Sequence, residues 1–122
     1  MSERDPLVRL LHMRDYGRAV LRLTDQGSRE RLDSDEMFAF AMIHALSMIG
    51  ESAAGVSQQV RDASPKIPWA DIVGMRHRLI HGYEYVSYDI VWETATVDVP
   101  ELMQKLDTLV ARLQNDQDAR GV

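Results

Sequence analysis

An all-α fold, an antiparallel bundle of four to five helices, is what this sequence predicts, and three observations predict it. Apolar residues recur at the three- and four-residue spacing of a helix face in segment after segment. Capping residues and helix breakers fall between those segments. Nothing alternates apolar and polar residues convincingly enough to form a sheet, and there is no internal repeat or low-complexity stretch.

The first helix is carried by Leu7, Leu10, Leu11, Tyr16, Ala19, Val20 and Leu23, which keep the helical period up to the break at Gln26-Gly27-Ser28. The second is expected after Asp33, with Glu36 three residues on as a variant capping box. Its segment from Met37 to Ile49 is apolar on nearly all sides, which should take it through the middle of the bundle. Gly50 and the Ala53-Ala54-Gly55 run thin its end and permit close packing. A loop around Ser64-Pro65-Lys66 leads to Pro68, suited to a first helical turn because its missing N–H has no partner there. Asp71 then sits near the positive end of that helix. The helix should end near His81, with Gly82 free to take the left-handed conformation that terminates helices. A short helix over about Asp89 to Ala95 follows. The last helix is expected to begin at Asp98, with Glu101 three residues later and Val97 and Leu102 forming a hydrophobic staple. Val99, Met103, Leu106, Val110 and Leu113 keep its inner face apolar, and from Asn115 onward the polar tail is expected to fray.

At 122 residues and 45% hydrophobic, the chain suits one domain over residues 1–122, burying roughly two thirds of its unfolded surface. With no cysteine, it has no disulfides, thiolate nucleophiles or cysteine-type zinc sites, which fits a reducing cytosol. The charged start Met1-Ser2-Glu3-Arg4-Asp5 is unlike a signal sequence. No uninterrupted apolar run approaches the ~20 residues of a membrane span, and a cytoplasmic protein is expected. The net charge of −5, from 19 acidic and 14 basic residues, argues mildly against a nucleic-acid partner. Local charge matters more: Arg14, Arg18 and Arg22 recur every four residues along the first helix, with Arg29 and Arg31 just after it. That pattern makes either a basic ridge for RNA, with Arg78 a further contact, or a solvated face balanced by Asp15 and Asp25.

The chemistry concentrates in Arg76-His77-Arg78-Leu79-Ile80-His81-Gly82-Tyr83. On a helical wheel Arg76 shares a face with Trp69, Ile72, Val73, Leu79 and Ile80, so it is expected to project from an apolar stripe and to need a carboxylate, carbonyls or a phosphate. Glu51 is a candidate partner. His81 lies roughly 140° from Arg76 on that wheel, so a shared site needs arginine reach, fraying before Gly82 or a second protomer. His77 and His81 share a face with Ala70 and Gly74, a small-residue seam along which two copies of the chain are expected to meet.

Metal-free RNA cleavage needs a base for the 2′-hydroxyl, an acid for the leaving 5′ oxygen and a cation for the phosphorane. Histidine suits both proton transfers and arginine suits the phosphate. His81 therefore receives the proton work and Arg76 the charge stabilisation, with the second proton group coming from the other copy of His81 or from His77. The competing reading makes His81 a residue favoured by the helix dipole and Arg76 a structural ion pair. A metal site is disfavoured, because Arg78 stands where the zinc-protease helix carries glutamate. No cofactor is expected, and His12 and His44 read as surface or packing residues. Tyr83 falls just past the helix end, with Tyr85 and Tyr88 near enough to form an aromatic rim.

The spacing of Arg76, His81 and Tyr83, together with Met48-Ile49-Gly50-Glu51, Ile67-Pro68-Trp69, Gly74-Met75-Arg76 and Ile90-Val91-Trp92-Glu93-Thr94, resembles HEPN-domain proteins of the HepT type over about residues 5 to 115. The resemblance implies the toxin of a two-gene toxin–antitoxin pair, an RNA-cutting homodimer with Arg76 and His81 as its catalytic pair. It also implies a partner similar to MntA, a minimal nucleotidyltransferase that silences the toxin by attaching AMP to Tyr83. Relatives often carry Asn or Asp where this chain has His77. Whether the RNA is messenger or transfer RNA is not encoded in these motifs. The non-catalytic alternative is a helical adaptor that binds a nucleotidyltransferase while Arg76 grips a nucleotide phosphate; a further one is a plain dimerising bundle.

Overall fold

The computed structural model describes residues 5–81 and 85–120, with Ile80 and His81 described in backbone alone. Its fold is all-α. Helix α1 (Pro6–Gln26) starts at Asp5, whose carboxylate accepts the Leu7 N–H at 2.9 Å, and has Pro6 in the first turn. It buries Leu7, Leu10, Met13, Gly17 and Val20. Helix α2 (Arg29–Ser34) is a short turn capped by Ser28. Helix α3 (Glu36–Ala54) is capped by Asp35, which accepts from the Phe38 N–H. The cap is thus Asp35 and not the region of Asp33, because Arg29–Ser34 already forms a helix of its own.

Helix α1 packs most extensively on α3 and next on α8 (Val99–Ala119). These three long helices enclose the core of Leu10, Met13, Met42, Leu46, Ile49, Leu106 and Val110. Helix α3 is long and apolar enough by length and composition to cross a membrane, yet half of its most apolar window is buried in the bundle. Its other side is open, with Met37 76% and Phe40 57% exposed. The expectation that it runs enclosed through the middle holds for one face only, because α1 and the short helices Trp69–Val73 and Met75–Leu79 cover that face.

Short elements join α3 to α8. Helix α4 (Gln58–Asp62) is capped by Ser57, and Arg61 reaches back to the carbonyls of Ala53, Ala54 and Val56 at the end of α3. Trp69 opens α5 (Trp69–Val73) and donates its indole N–H to the Ser64 carbonyl at 3.1 Å. The expected motif helix is broken at Gly74, and α6 (Met75–Leu79) ends before His81. Ile80–His81 (β1) pairs antiparallel with Tyr85–Val86 (β2), in the register Ile80 to Val86 and His81 to Tyr85. This two-residue ladder corrects both the expected absence of strands and the helix end near His81: the returning chain gives these backbone groups partners that a helix end would leave empty.

Helix α7 (Tyr88–Glu93) flows through a π-helical turn, Thr94–Asp98, directly into α8. The expected new helix start at Asp98 is therefore corrected. Asp98 is itself helical without a side-chain cap, and Val97 is 57% exposed and forms no staple. Pro100 supplies the reason. It lacks the N–H that would bond one turn back, and its ring crowds that turn. The wider π turn, in which the Val99 N–H reaches the Thr94 carbonyl, accommodates it. Helix α8 continues to Ala119, past the expected fraying point at Asn115.

Candidate functional site

A groove of about 1050 Å³ lies between α1, the open side of α3 and α6. It is lined by Arg9, His12, Asp15 and Tyr16 from α1, by Phe40, His44 and Glu51 from α3, and by Arg76 from α6. Helical spacing explains the two longer walls. Arg9, His12 and Tyr16 stand three and four residues apart on α1, and Phe40, His44 and Met48 stand four apart on α3, so each set shares a face. Tyr16 and His44 meet edge to face across the groove, with ring centroids 6.2 Å apart.

Arg76 is exposed, which corrects its expected place in an apolar stripe. The buried stripe runs through Ile72, Met75 and Leu79, and the break at Gly74 sets Arg76 outside it. Met75, absent from the expected stripe, takes the inward position. Among the described residues Arg76 forms no ion pair. Glu51 lines the same groove but is not bonded to it. Gly50, next to Glu51, lets α3 approach α5 closely: a Cβ there would stand 2.8 Å from the Ile72 carbonyl oxygen.

The other expected residues scatter. His77 is exposed and does not line this groove. Arg78 faces away, with its Nη1 3.1 Å from Asp98 Oδ2. That contact is an ion pair by distance without hydrogen-bond geometry, since Asp98 Oδ2 is buried with no donor among the described residues. Arg78 is thus engaged with α8's entry and does not face the Arg76 groove. Arg14 is half-buried, with its Nε shielded and without a partner among the described residues, and Arg18 is exposed; neither lines the groove. Arg22 lines a neighbouring groove with Tyr16 and His44. Of the expected basic ridge, the two distal members, Arg29 and Arg31, are engaged in ion pairs. Arg29 bonds Asp89 at 2.7 Å and Asp33 at 3.0 Å, while Arg31 bonds Asp35 at 3.2 Å and stacks over Phe38.

His81 is described only as a backbone partner of Tyr85, and Tyr83 lies outside the described residues. Among the described residues, no group of three His, Asp or Glu side chains is placed to hold a metal ion. His12 and His44 are exposed, as their surface reading expects, and line the groove with Arg9, which sequence reasoning passed over; the signal that would have placed Arg9 there is its helical register with His12 and Tyr16. What the arrangement offers chemically is a guanidinium with no ion pair among the described residues, on an open groove that also carries imidazoles, carboxylates and stackable rings.

Comparison with known proteins gives one consistent answer. The family model described as "Ribonuclease HepT-like" matches residues 13–109. The chain is 30% identical over 93% of its length, and 98% of the relative's, to a Methanocaldococcus jannaschii protein named "Putative RNase MJ0125". It is 36% identical, over 62% of its own length and 68% of the relative's, to the "Probable ribonuclease HepT" of Thermococcus cleftensis. It is 34% identical, over 70% and 76% respectively, to "Putative RNase TTE0752" of Caldanaerobacter subterraneus. No solved structure matches the chain.

Proposed function

The chain belongs to the HepT-like ribonuclease family, and from that premise we propose that it is a metal-independent endoribonuclease, the toxin of a toxin–antitoxin pair, whose Arg76 and His81 cut RNA. The observation that carries this reading is the exposed Arg76 on an open groove with no ion pair among the described residues. Its charge is available to a phosphate.

In the proposed reaction a histidine takes the proton of the 2′-hydroxyl, and that oxygen attacks phosphorus. The bond to the 5′ oxygen breaks as a second proton donor protonates it, leaving a 2′,3′-cyclic phosphate and a 5′-hydroxyl end. Arg76 steadies the charge that builds on the non-bridging oxygens. His81 supplies one proton group, and His81 of a second copy supplies the other. The open face of α3, with exposed Met37 and Phe40 beside the groove, supports a homodimer. An apolar patch of that kind beside a functional groove is a common mark of association.

The test is cleavage of mixed cellular RNA by purified protein in excess chelator. Wild type should leave 5′-hydroxyl ends, and Arg76→Ala and His81→Ala should each lose about 10²–10⁴-fold in rate. Cleavage by His81→Ala at the wild-type rate would refute the assignment.

Regulation by an MntA-like nucleotidyltransferase antitoxin that adenylylates Tyr83 completes the proposal. Bulk and a negative phosphate beside Arg76 and His81 would repel and occlude RNA. Tyr83→Phe should therefore still cut RNA and escape silencing when the antitoxin and ATP are added; a fully silenced Tyr83→Phe would sink this part alone.

A further inference from the structure

We propose that Arg9 is the second phosphate-binding cation of the Arg76 groove and that Gly55 is the residue that lets it sit there. The inference rests on the ribonuclease reading of that groove. Asp15 and Glu51 place two carboxylates on the groove, and Arg9 and Arg76 are the arginines that line it. With Arg76 alone the permanent charges would be net negative, in a chain that is already −5 overall, and a polyanion would be repelled. Arg9 brings the groove to balance and gives a phosphodiester a second donor set.

Its placement is specific. Gly55 follows α3 in an ordinary right-handed conformation, φ −86° and ψ −4°, so backbone strain is not why it is glycine. Space is the reason: a Cβ at Gly55 would stand 2.6 Å from Arg9 Nε and 2.8 Å from its Cζ. The guanidinium of Arg9 thus lies over the C-terminal end of α3, where the helix dipole favours a cation. The last carbonyls of α3 are already taken by Arg61, which bonds those of Ala53 and Ala54. Arg9 has no hydrogen bond or ion pair among the described residues, so its donors remain open to a ligand. His12 and Tyr16 continue the same face of α1 along the groove, offering an imidazole and a stacking ring to the nucleotides that follow.

The steric fact also supplies a clean variant. Gly55→Ala should displace a flexible side-chain end and leave the backbone alone. Binding of a fluorescent single-stranded RNA, 2′-O-methylated throughout so that it cannot be cut, is followed by anisotropy over a salt series. Arg9→Ala should bind about tenfold more weakly, with the slope of log K against log salt reduced by about 0.7, the loss of one phosphate contact. Gly55→Ala should weaken binding in the same way with its unfolding midpoint held. The double variant should bind no more weakly than Arg9→Ala, because both changes remove one contact. Lys66→Ala, which removes a charge from a different groove, should keep the slope. If Arg76→Ala weakens binding and Arg9→Ala does not, Arg9 is overturned while the reading of the groove stands. If neither weakens binding, or wild type binds no RNA, both fall. A loss of stability in Arg9→Ala with RNA affinity intact would also overturn the proposal, making Arg9 a structural cap on α3.

Discussion

Arg76 and Asp35 show how much a single side chain owes to its neighbours. Arg76 was legible as chemistry, because arginine five residues before histidine in a helical context is an uncommon pairing of a phosphate binder with a proton carrier. Its exposure was not legible, because the wheel counts one helix while the break at Gly74 and the inward turn of Met75 reset the face. Asp35 gives a local rule with a pH consequence. The Phe38 N–H, and beyond it Arg31, hold its carboxyl below the ordinary value of 3.8. A depressed value means that the cap's extra stability is present above the unfolded value and is lost as pH falls through the folded one. Asp35→Ala should thus unfold at lower denaturant than wild type at neutral pH, with the gap narrowing as the pH is taken down through the acid range. A gap that stays constant with pH would assign the cap's effect to something other than the carboxylate charge.

At the scale of elements, the long helices were readable because their signals are repeated every turn: α1 and α8 carry their apolar stripes over many residues. The region between α3 and α8 was harder. Ile80–His81 and Tyr85–Val86 are too short to alternate, and they are strands only because they find each other. The sequence words around Asp98 fit a capping box, yet Asp98 lies inside continuous helix, because the π turn that accommodates Pro100 carries α7 into α8 without a break. The contact that places the motif helices is Gly50 against Ile72. Here the clash is with backbone, unlike at Gly55, so Gly50→Ala should destabilise the protein by about 1–3 kcal/mol and, by pushing α5 and α6 from α3, reduce RNA cleavage as well. Urea unfolding at the wild-type midpoint would show that the two helices can part without cost.

For the whole molecule, the unusual quantity is the apolar surplus of α3. A helix nearly apolar all round is normally enclosed, but this one leaves Met37 and Phe40 in the open, and the proposed homodimer would cover them. Met37→Asp, which leaves the lining of the groove alone, should give a folded monomer in sedimentation with RNA cleavage lost. A variant that remains dimeric would move the interface to the seam of Ala70, Gly74 and His77, of which Ala70 and His77 are exposed. Global charge is a poor guide at this scale. The chain is net acidic, while Arg29 and Arg31 are spent on Asp89, Asp33 and Asp35, so what a polyanion meets depends on which arginines remain unpaired.

Helical class and the spacing of Arg76, His81 and Tyr83 follow from the sequence by itself, since each depends on residues within a turn or two of one another. Which face of α1 meets Arg76, that Arg9 and His12 line its groove, and that Arg78 is turned toward Asp98 were decided only by tertiary packing. Those relations join residues far apart in the chain, and no periodicity along it carries the angle at which one helix is set against the next.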